Sequence, residues 1–350
     1  MRQQRIDRLR ELIEDDTAIL ISSYPNIFYF SGFMSEDAYL LISHDKLMLI
    51  TDSRYTIQAK EQSPLFEVVD IKKGWKEIFE LIVNCRIGYE ESHITVKQYN
   101  FLCEKATGKE FLPMQSEINS LRRIKDTKEL KLIARAEQIG DEAFSYILKQ
   151  IKPGKTEIEI ALELEFFMKR QGASALSFET ISASGIRSAM PHGRASDKVI
   201  ENGDFLTLDF GCVYEGYCSD MTRTVVIGKA NDRQKEIYNT VLTAQTAALE
   251  AIYKGKKCSE IDAVARDIIT QAGFGENFGH GLGHSVGIEI HEAPSLSPKC
   301  DDIIIPGHVL TVEPGIYIEN FGGVRIEDLI AVTEDSVINM TSSPKQIIEL

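Results

Sequence analysis

Long apolar runs, cysteine pairs and positive charge are what this 350-residue sequence lacks. No stretch approaches the ~20 apolar residues that a membrane-spanning helix requires, so no membrane partner is expected. The N-terminal MRQQRIDRLRELIEDD is charged and repeats Ile6, Leu9, Leu12 and Ile13 at helical spacing, without the apolar centre of a signal peptide. Six cysteines stand apart at 85, 103, 212, 218, 258 and 300. Cys212 and Cys218 are too widely spaced for a CxxC redox or zinc motif, which leaves free, mostly buried thiols in a reducing cytoplasm as the expectation. Lysine and arginine number 39 against 53 acidic residues, a net charge of −14. A nucleic-acid backbone is thereby excluded as main partner, because phosphate binding needs basic surface. Small substrates are not excluded, since a pocket can differ from the average field.

At this length one core is rarely enough, and two domains are expected. In the N-terminal third, the β-rich runs AILI (18–21), YLLI (39–42), LMLIT (47–51) and EVVDI (67–71) alternate with polar or helical stretches. They imply a small α/β domain, placed at 1–120. Its two histidines, His44 and His93, have no second ligand type near them, so chemistry is expected in the second domain, 121–350. There Asp126 and Glu129 outline a capping box, followed by Leu130, Ile133, Ala134, Phe144, Ile147, Leu148 and Ile151 at helical spacing. Pro153-Gly154 is expected to end that helix. Thr156 with Glu159 opens a second one, which Gly172 can terminate. Beyond residue 204, FLTLDFG, MTRTVVIG, HVLTVEPGIYI and GGVRIEDLIAV read as strands. Helical patterns at 231–255 and at 258–273, the latter opened by Ser259, interrupt them. Helices followed by strands, twice over, predict an α+β domain with a curved antiparallel sheet.

What the chain does concentrate is imidazole. Of seven histidines, His280, His284 and His291 fall inside GHGLGHSVGIEIHE, residues 279–292. Carboxylates sit inside half-buried strand patterns, where a lone charge is costly without a partner. In TLDFG, Leu208 and Phe210 share one face and Asp209 takes the other with Thr207. Asp220 follows in CSDMTRT, across a turn at Tyr214–Tyr217, so a hairpin would bring the two aspartates together. Glu313 ends LTVEPG with Thr311 on its face. In GGVRIEDLI, Arg325 and Glu327 face opposite to Val324 and Ile326. Taken singly, each of these has an ordinary structural reading. Together, two Asp, two Glu and one His make an oxygen-rich donor set suited to divalent manganese, cobalt or iron. Four carboxylates would repel one another without cations between them, and two divalent ions would neutralise them.

Asp209, Asp220, His284, Glu313 and Glu327, in this order and context, resemble the five metal ligands of the pita-bread metallopeptidases, which include methionine aminopeptidases, Xaa-Pro aminopeptidases and prolidases. SGIRSAMPHG (184–193) is similar to the segment bearing a substrate-side histidine in the proline-specific branch. GHGLGHSVGIEIHEAP, EPGIYI and GGVRIED match that branch, and NIFYFSGF and TDSRYTIQAK resemble the creatinase-type N-terminal domain. The resemblance implies a pita-bread catalytic domain behind a smaller creatinase-type α/β domain. It implies two divalent ions, manganese first, with cobalt, zinc or iron as alternatives. His192 and His291 would hydrogen-bond the peptide carbonyl, and His280 would shape the substrate pocket. Glu313 would shuttle a proton, and Arg325 would orient the carboxylates. The resemblance further implies a cytoplasmic homodimer. The leading expectation is an Xaa-Pro aminopeptidase acting on peptides with proline on the leaving side. A prolidase restricted to dipeptides is the alternative, and a non-hydrolytic binding protein with a vestigial metal site is the third reading.

Overall fold

The four N-terminal β-rich runs become β1 (Thr17–Ile21), β2 (Ala38–Ile42), β3 (Leu47–Thr51) and β4 (Glu67–Asp70). Two further strands, β5 (Arg86–Tyr89) and β6 (Glu110–Pro113), carry no comparable apolar run. They complete a mixed sheet of order β4-β3-β2-β1-β5-β6. β1 pairs antiparallel with β2 and parallel with β5, so neither of its edges is free, and all five of its residues are buried. The helix Arg2–Glu11 buries Ile6 and Leu9, whereas Leu12 lies beyond its end and is exposed. The computed structural model describes residues 2–350, and the chain forms two units, Met1–Arg122 and Arg123–Leu350.

In the second unit, two helix pairs each back a layer of strands. Helices Thr127–Ile147 and Glu157–Arg170 pack Ala136, Ile139, Phe144, Ile160 and Leu164 against Leu206, Leu208, Phe210 and Val225. Helices Asp232–Ala251 and Cys258–Gln271 pack Ile237, Val241, Ile261 and Ile269 against Leu310, Val312, Val324 and Ile330. The strands are β7 (Ala175–Leu176), β8 (Ile181–Ser184), β9 (Phe205–Phe210), β10 (Cys212–Tyr214), β11 (Tyr217–Cys218) and β12 (Met221–Val226) on the first side. On the second they are β13 (Gly283–Ser285), β14 (Glu292–Leu296), β15 (Val309–Val312), β16 (Gly315–Ile318), β17 (Gly322–Arg325), β18 (Asp328–Val332) and β19 (Val337–Asn339). β12-β9-β8 and β14-β13-β15-β18-β19 are antiparallel sheets, and β16-β17 is a separate hairpin.

Both capping boxes form as the sequence reads, at Asp126 with Glu129 and at Thr156 with Glu159. Two boundaries differ. The helix opened by Asp126 stops at Ile147, before Pro153, and irregular turns carry the chain to Gly154. Ser259 lies inside the helix Cys258–Gln271 and caps nothing. The orphan amides of Cys258 and Ser259 donate instead to the carbonyls of Asp302 and Cys300, so the neighbouring chain does the work of a cap. No helix among the described residues is long and apolar enough to cross a membrane. All six cysteines are free, with Cys212, Cys218 and Cys258 buried, Cys103 and Cys300 half-buried and Cys85 exposed.

Candidate active site

Strand alternation delivers each acidic side chain to one cavity. Leu208 and Phe210 enter the core, so Asp209 between them faces away, opposite Thr222 in the register of β9 and β12. The Tyr214–Tyr217 turn closes the hairpin and returns Asp220 to the same side. Glu313 follows β15, and Glu327 lies between β17 and β18 while Val324 and Ile326 fill the core. His284 stands in the middle of β13. A Cβ on Gly283 would overlap the Thr311 carbonyl of β15, so only glycine lets β13 approach this closely.

The resulting cavity is about 550 Å³ and is lined by all nine residues singled out in the sequence: His192, Asp209, Asp220, His280, His284, His291, Glu313, Arg325 and Glu327. Asp220, His284 and Glu327 each offer a ligand atom within 4.8 Å of the others. His284 Nε2 is 3.3 Å from Glu313 Oε1 and 3.5 Å from Asp220 Oδ2. Asp209 is gripped by Arg325, whose Nη2 donates to Oδ2 at 2.5 Å. His291 packs edge-on against His284, with ring centroids 4.4 Å apart. His280 accepts from or donates to Tyr317 Oη at 3.0 Å, according to its tautomer.

Neutral hydroxyls join these charges into a lattice. Arg325 Nε donates to Thr222 Oγ1 at 3.0 Å, and that hydroxyl donates to Glu327 Oε2 at 2.7 Å. Thr311 Oγ1 accepts from the His284 amide and donates to Glu313 Oε1. Arg325 Nη1 reaches Tyr317 Oη at 2.7 Å and the Pro191 carbonyl at 3.2 Å, which ties the loop before His192 to the cavity wall.

Electrostatics reflect this crowding. Burial, then the charges of Glu327, Asp209 and Glu313, lift Asp220 well above the ordinary carboxylate range. Burial, then Glu313 and Asp209, does the same to Glu327. Burial pushes Glu313 up to about 7 against the opposing charge of Arg325. It depresses His284 and His280 to about 4. Burial also opposes the charge on Arg325, yet Tyr317, Asp209 and Glu313 together keep its pKa well above the usual value.

The donor set fits divalent cations. Asp209 Oδ1 and Glu327 Oε1 are buried without a hydrogen-bond partner, a costly arrangement unless something positive faces them. His284 Nδ1 lies 3.2 Å from the Ser285 carbonyl. With the proton on that nitrogen, Nε2 keeps a free lone pair on the side of the Asp220 and Glu313 carboxylates, the tautomer that a metal ligand requires.

Several supporting residues were not apparent in the sequence. Asp262 and Arg266 form a bidentate pair on one helix; Asp262 accepts the Leu282 amide, and Arg266 donates to the carbonyls of Phe278 and His280. Their i, i+4 spacing was visible, but not its target. Lys125 makes a buried 3.0 Å ion pair with Glu292, next to His291. Arg223, inside an apolar strand pattern, binds Asp328 at 2.8 Å and donates to the Glu327 carbonyl.

The sequence matches Metallopeptidase family M24 over residues 131–334 and the Creatinase/Prolidase N-terminal domain over residues 5–124. It is 39% identical to an Xaa-Pro dipeptidase of Pyrococcus furiosus, over 99% of this chain and 100% of that one. Among solved structures, an Xaa-Pro dipeptidase from Bacillus anthracis superposes with a TM-score of 0.97 at 44% identity, covering 100% of both chains. An X-Pro aminopeptidase from Thermotoga maritima superposes with a TM-score of 0.92 at 40% identity, covering 98% of this chain and 100% of that one.

Proposed function

Because the chain belongs to metallopeptidase family M24 and carries a creatinase/prolidase N-terminal domain, we propose that it is an Xaa-Pro dipeptidase, a prolidase, acting through two divalent metal ions. The observation that carries the reading is the convergence of Asp209, Asp220, His284, Glu313 and Glu327 on one cavity, with unpartnered oxygens facing inward. The sequence alone favoured an aminopeptidase; the full-length likeness to proteins named Xaa-Pro dipeptidase supports the dipeptide reading better. We assign 1–120 to the creatinase-type domain and 121–350 to the catalytic domain, and infer a cytoplasmic homodimer with manganese as first-choice metal.

When bound, the ions supply Lewis-acid polarisation of the carbonyl and a water made nucleophilic at neutral pH. His192 and His291 hold the scissile carbonyl and the negative charge that develops on its oxygen. Glu313 takes a proton from the attacking water and delivers it to the proline nitrogen as the bond breaks. Arg325 and Thr222 keep Asp209 and Glu327 oriented through the contacts described above. None of these groups needs an N–H on the leaving side, which proline lacks.

The test offers the manganese-loaded protein Ala-Pro, Ala-Pro-Ala and Ala-Ala-Ala, with metal stoichiometry measured alongside. Cleavage of Ala-Pro alone is expected. Preference for Ala-Pro-Ala would return the aminopeptidase reading, and preference for Ala-Ala-Ala would remove proline from the account.

A further inference from the structure

A dipeptide ends in a free carboxylate one residue beyond the scissile bond, and an enzyme restricted to dipeptides must recognise it. In the cavity, that carboxylate needs a cationic side chain that is not already engaged with the ligand candidates. Glu179, Asp209, Asp220, Glu313 and Glu327 line the cavity, and the cationic side chains among the lining residues are Arg194 and Arg325. Arg325 is already committed. It is buried, and its guanidinium donates to Asp209, Thr222, Tyr317 and the Pro191 carbonyl.

Arg194 is different in each respect. Its side chain is 75% exposed and its Nε makes one rim ion pair, 2.9 Å from Glu179 Oε2, which is itself 58% exposed. Exposed pairs of this kind contribute little, so the guanidinium can exchange Glu179 for a better-placed carboxylate at small cost. Its backbone, by contrast, is fixed. Arg194 bridges Ile181 in antiparallel fashion, and its carbonyl accepts from Arg187 Nη2 at 2.7 Å. Arg187 is paired at 3.0 Å with the fully buried carboxylate of Glu157. That carboxylate also accepts the amides and hydroxyls of Ser184 and Ser196, the two ends of the segment that carries His192 and Arg194. One buried group thus anchors an arch that presents a histidine and, two residues on, a loosely held guanidinium to the same cavity.

We propose that Arg194 reads the free C-terminal carboxylate of the substrate, with Glu179 holding the guanidinium in place until the substrate arrives. This rests on the dipeptidase reading and adds the residue that enforces it. A planar, bidentate donor at the rim favours a peptide that ends there, because a carboxylate takes two charge-assisted bonds where an amide carbonyl takes one weaker bond.

The experiment compares Ala-Pro with Ala-Pro amide on the manganese-loaded wild type and on Arg194→Gln. The wild type should show kcat/KM about tenfold higher for the free acid, carried by KM, as one charge-assisted contact at a wet rim predicts. In Arg194→Gln the acid should fall to the level of the amide, and Glu179→Gln should lower KM for the acid. An acid-to-amide ratio that persists in Arg194→Gln overturns the assignment. If the wild type prefers Ala-Pro-Ala, the dipeptidase reading fails by itself. Arg194 is then judged separately, with Ala-Pro and its amide as competitors of tripeptide cleavage.

Discussion

The proposed mechanism places its greatest leverage on a single exposed side chain, His291. Its ring rests edge-on against His284, so its removal leaves the carboxylates and their supports untouched. His291→Ala should lower turnover by about 10²–10³, the usual effect of deleting a donor to the developing oxyanion. Metal content measured on the same preparation should stay at the wild-type level; loss of metal would make His291 a ligand. Thr222 is the opposite case, buried and without direct chemistry, yet it hands the Arg325 hydrogen bond on to Glu327. Thr222→Val keeps the shape and removes the relay, and metal affinity in a chelator competition should fall about 10–100-fold. The ligand candidates could be read in the sequence because alternation in a strand sets an Asp apart from flanking Leu and Phe. Thr222 could not, because a threonine in a strand looks like any other β-former until its neighbour across the sheet is known.

Elements were legible where local chemistry decides them. The capping boxes at Asp126 and Thr156 are written in four consecutive residues, and both form. The start of the helix at Cys258 is set by carbonyls some forty residues later, which no local pattern encodes. β5 and β6 are not legible in the sequence because RIGY and EFLP are short and mixed, and only pairing, β5 on β1 and β6 on β5, makes them strands. Glu157 and the arch from Ser184 to Ser196 belong to this scale as well. Glu157→Ala would strand the buried amide of Ser184 and the half-buried amide of Ser196 and leave Arg187 without its carboxylate. Urea unfolding should register a loss of about 3–5 kcal/mol, the range for breaking a buried charged pair. Limited proteolysis should cut the variant first between Gly185 and Ala195. Unchanged stability would mean that the arch is held by other contacts.

At the scale of the whole molecule, the site is a burden on the metal-free fold. Glu313, raised by burial to about 7, and Glu137, raised by burial to about 8, bind protons in the folded state that the unfolded chain has already lost. Their contribution to stability is complete at low pH and disappears as pH rises through those values. The buried histidines His280, His284 and His308, depressed to about 4, act oppositely, but only below their unfolded value near 6.5. The carboxylates therefore govern the window above pH 6.5. The melting temperature of the metal-free protein should fall between pH 6.5 and 8.5, and saturating manganese should flatten or reverse that slope. A metal-free protein that melts later as pH rises across this window would contradict the buried-acid account.

The five ligand candidates are spread along the chain, from β9 to the residue before β18, and this spacing has a consequence in time. Asp209 and Asp220 leave the ribosome together, but Glu327 follows more than a hundred residues later. During synthesis the chain therefore has two carboxylates, later a histidine, and a complete donor set only once its last sheet can close. At the proposed site, ion capture would then be an end-of-assembly event, and the growing polypeptide would pass through the cell's metal pools without a finished trap to fill.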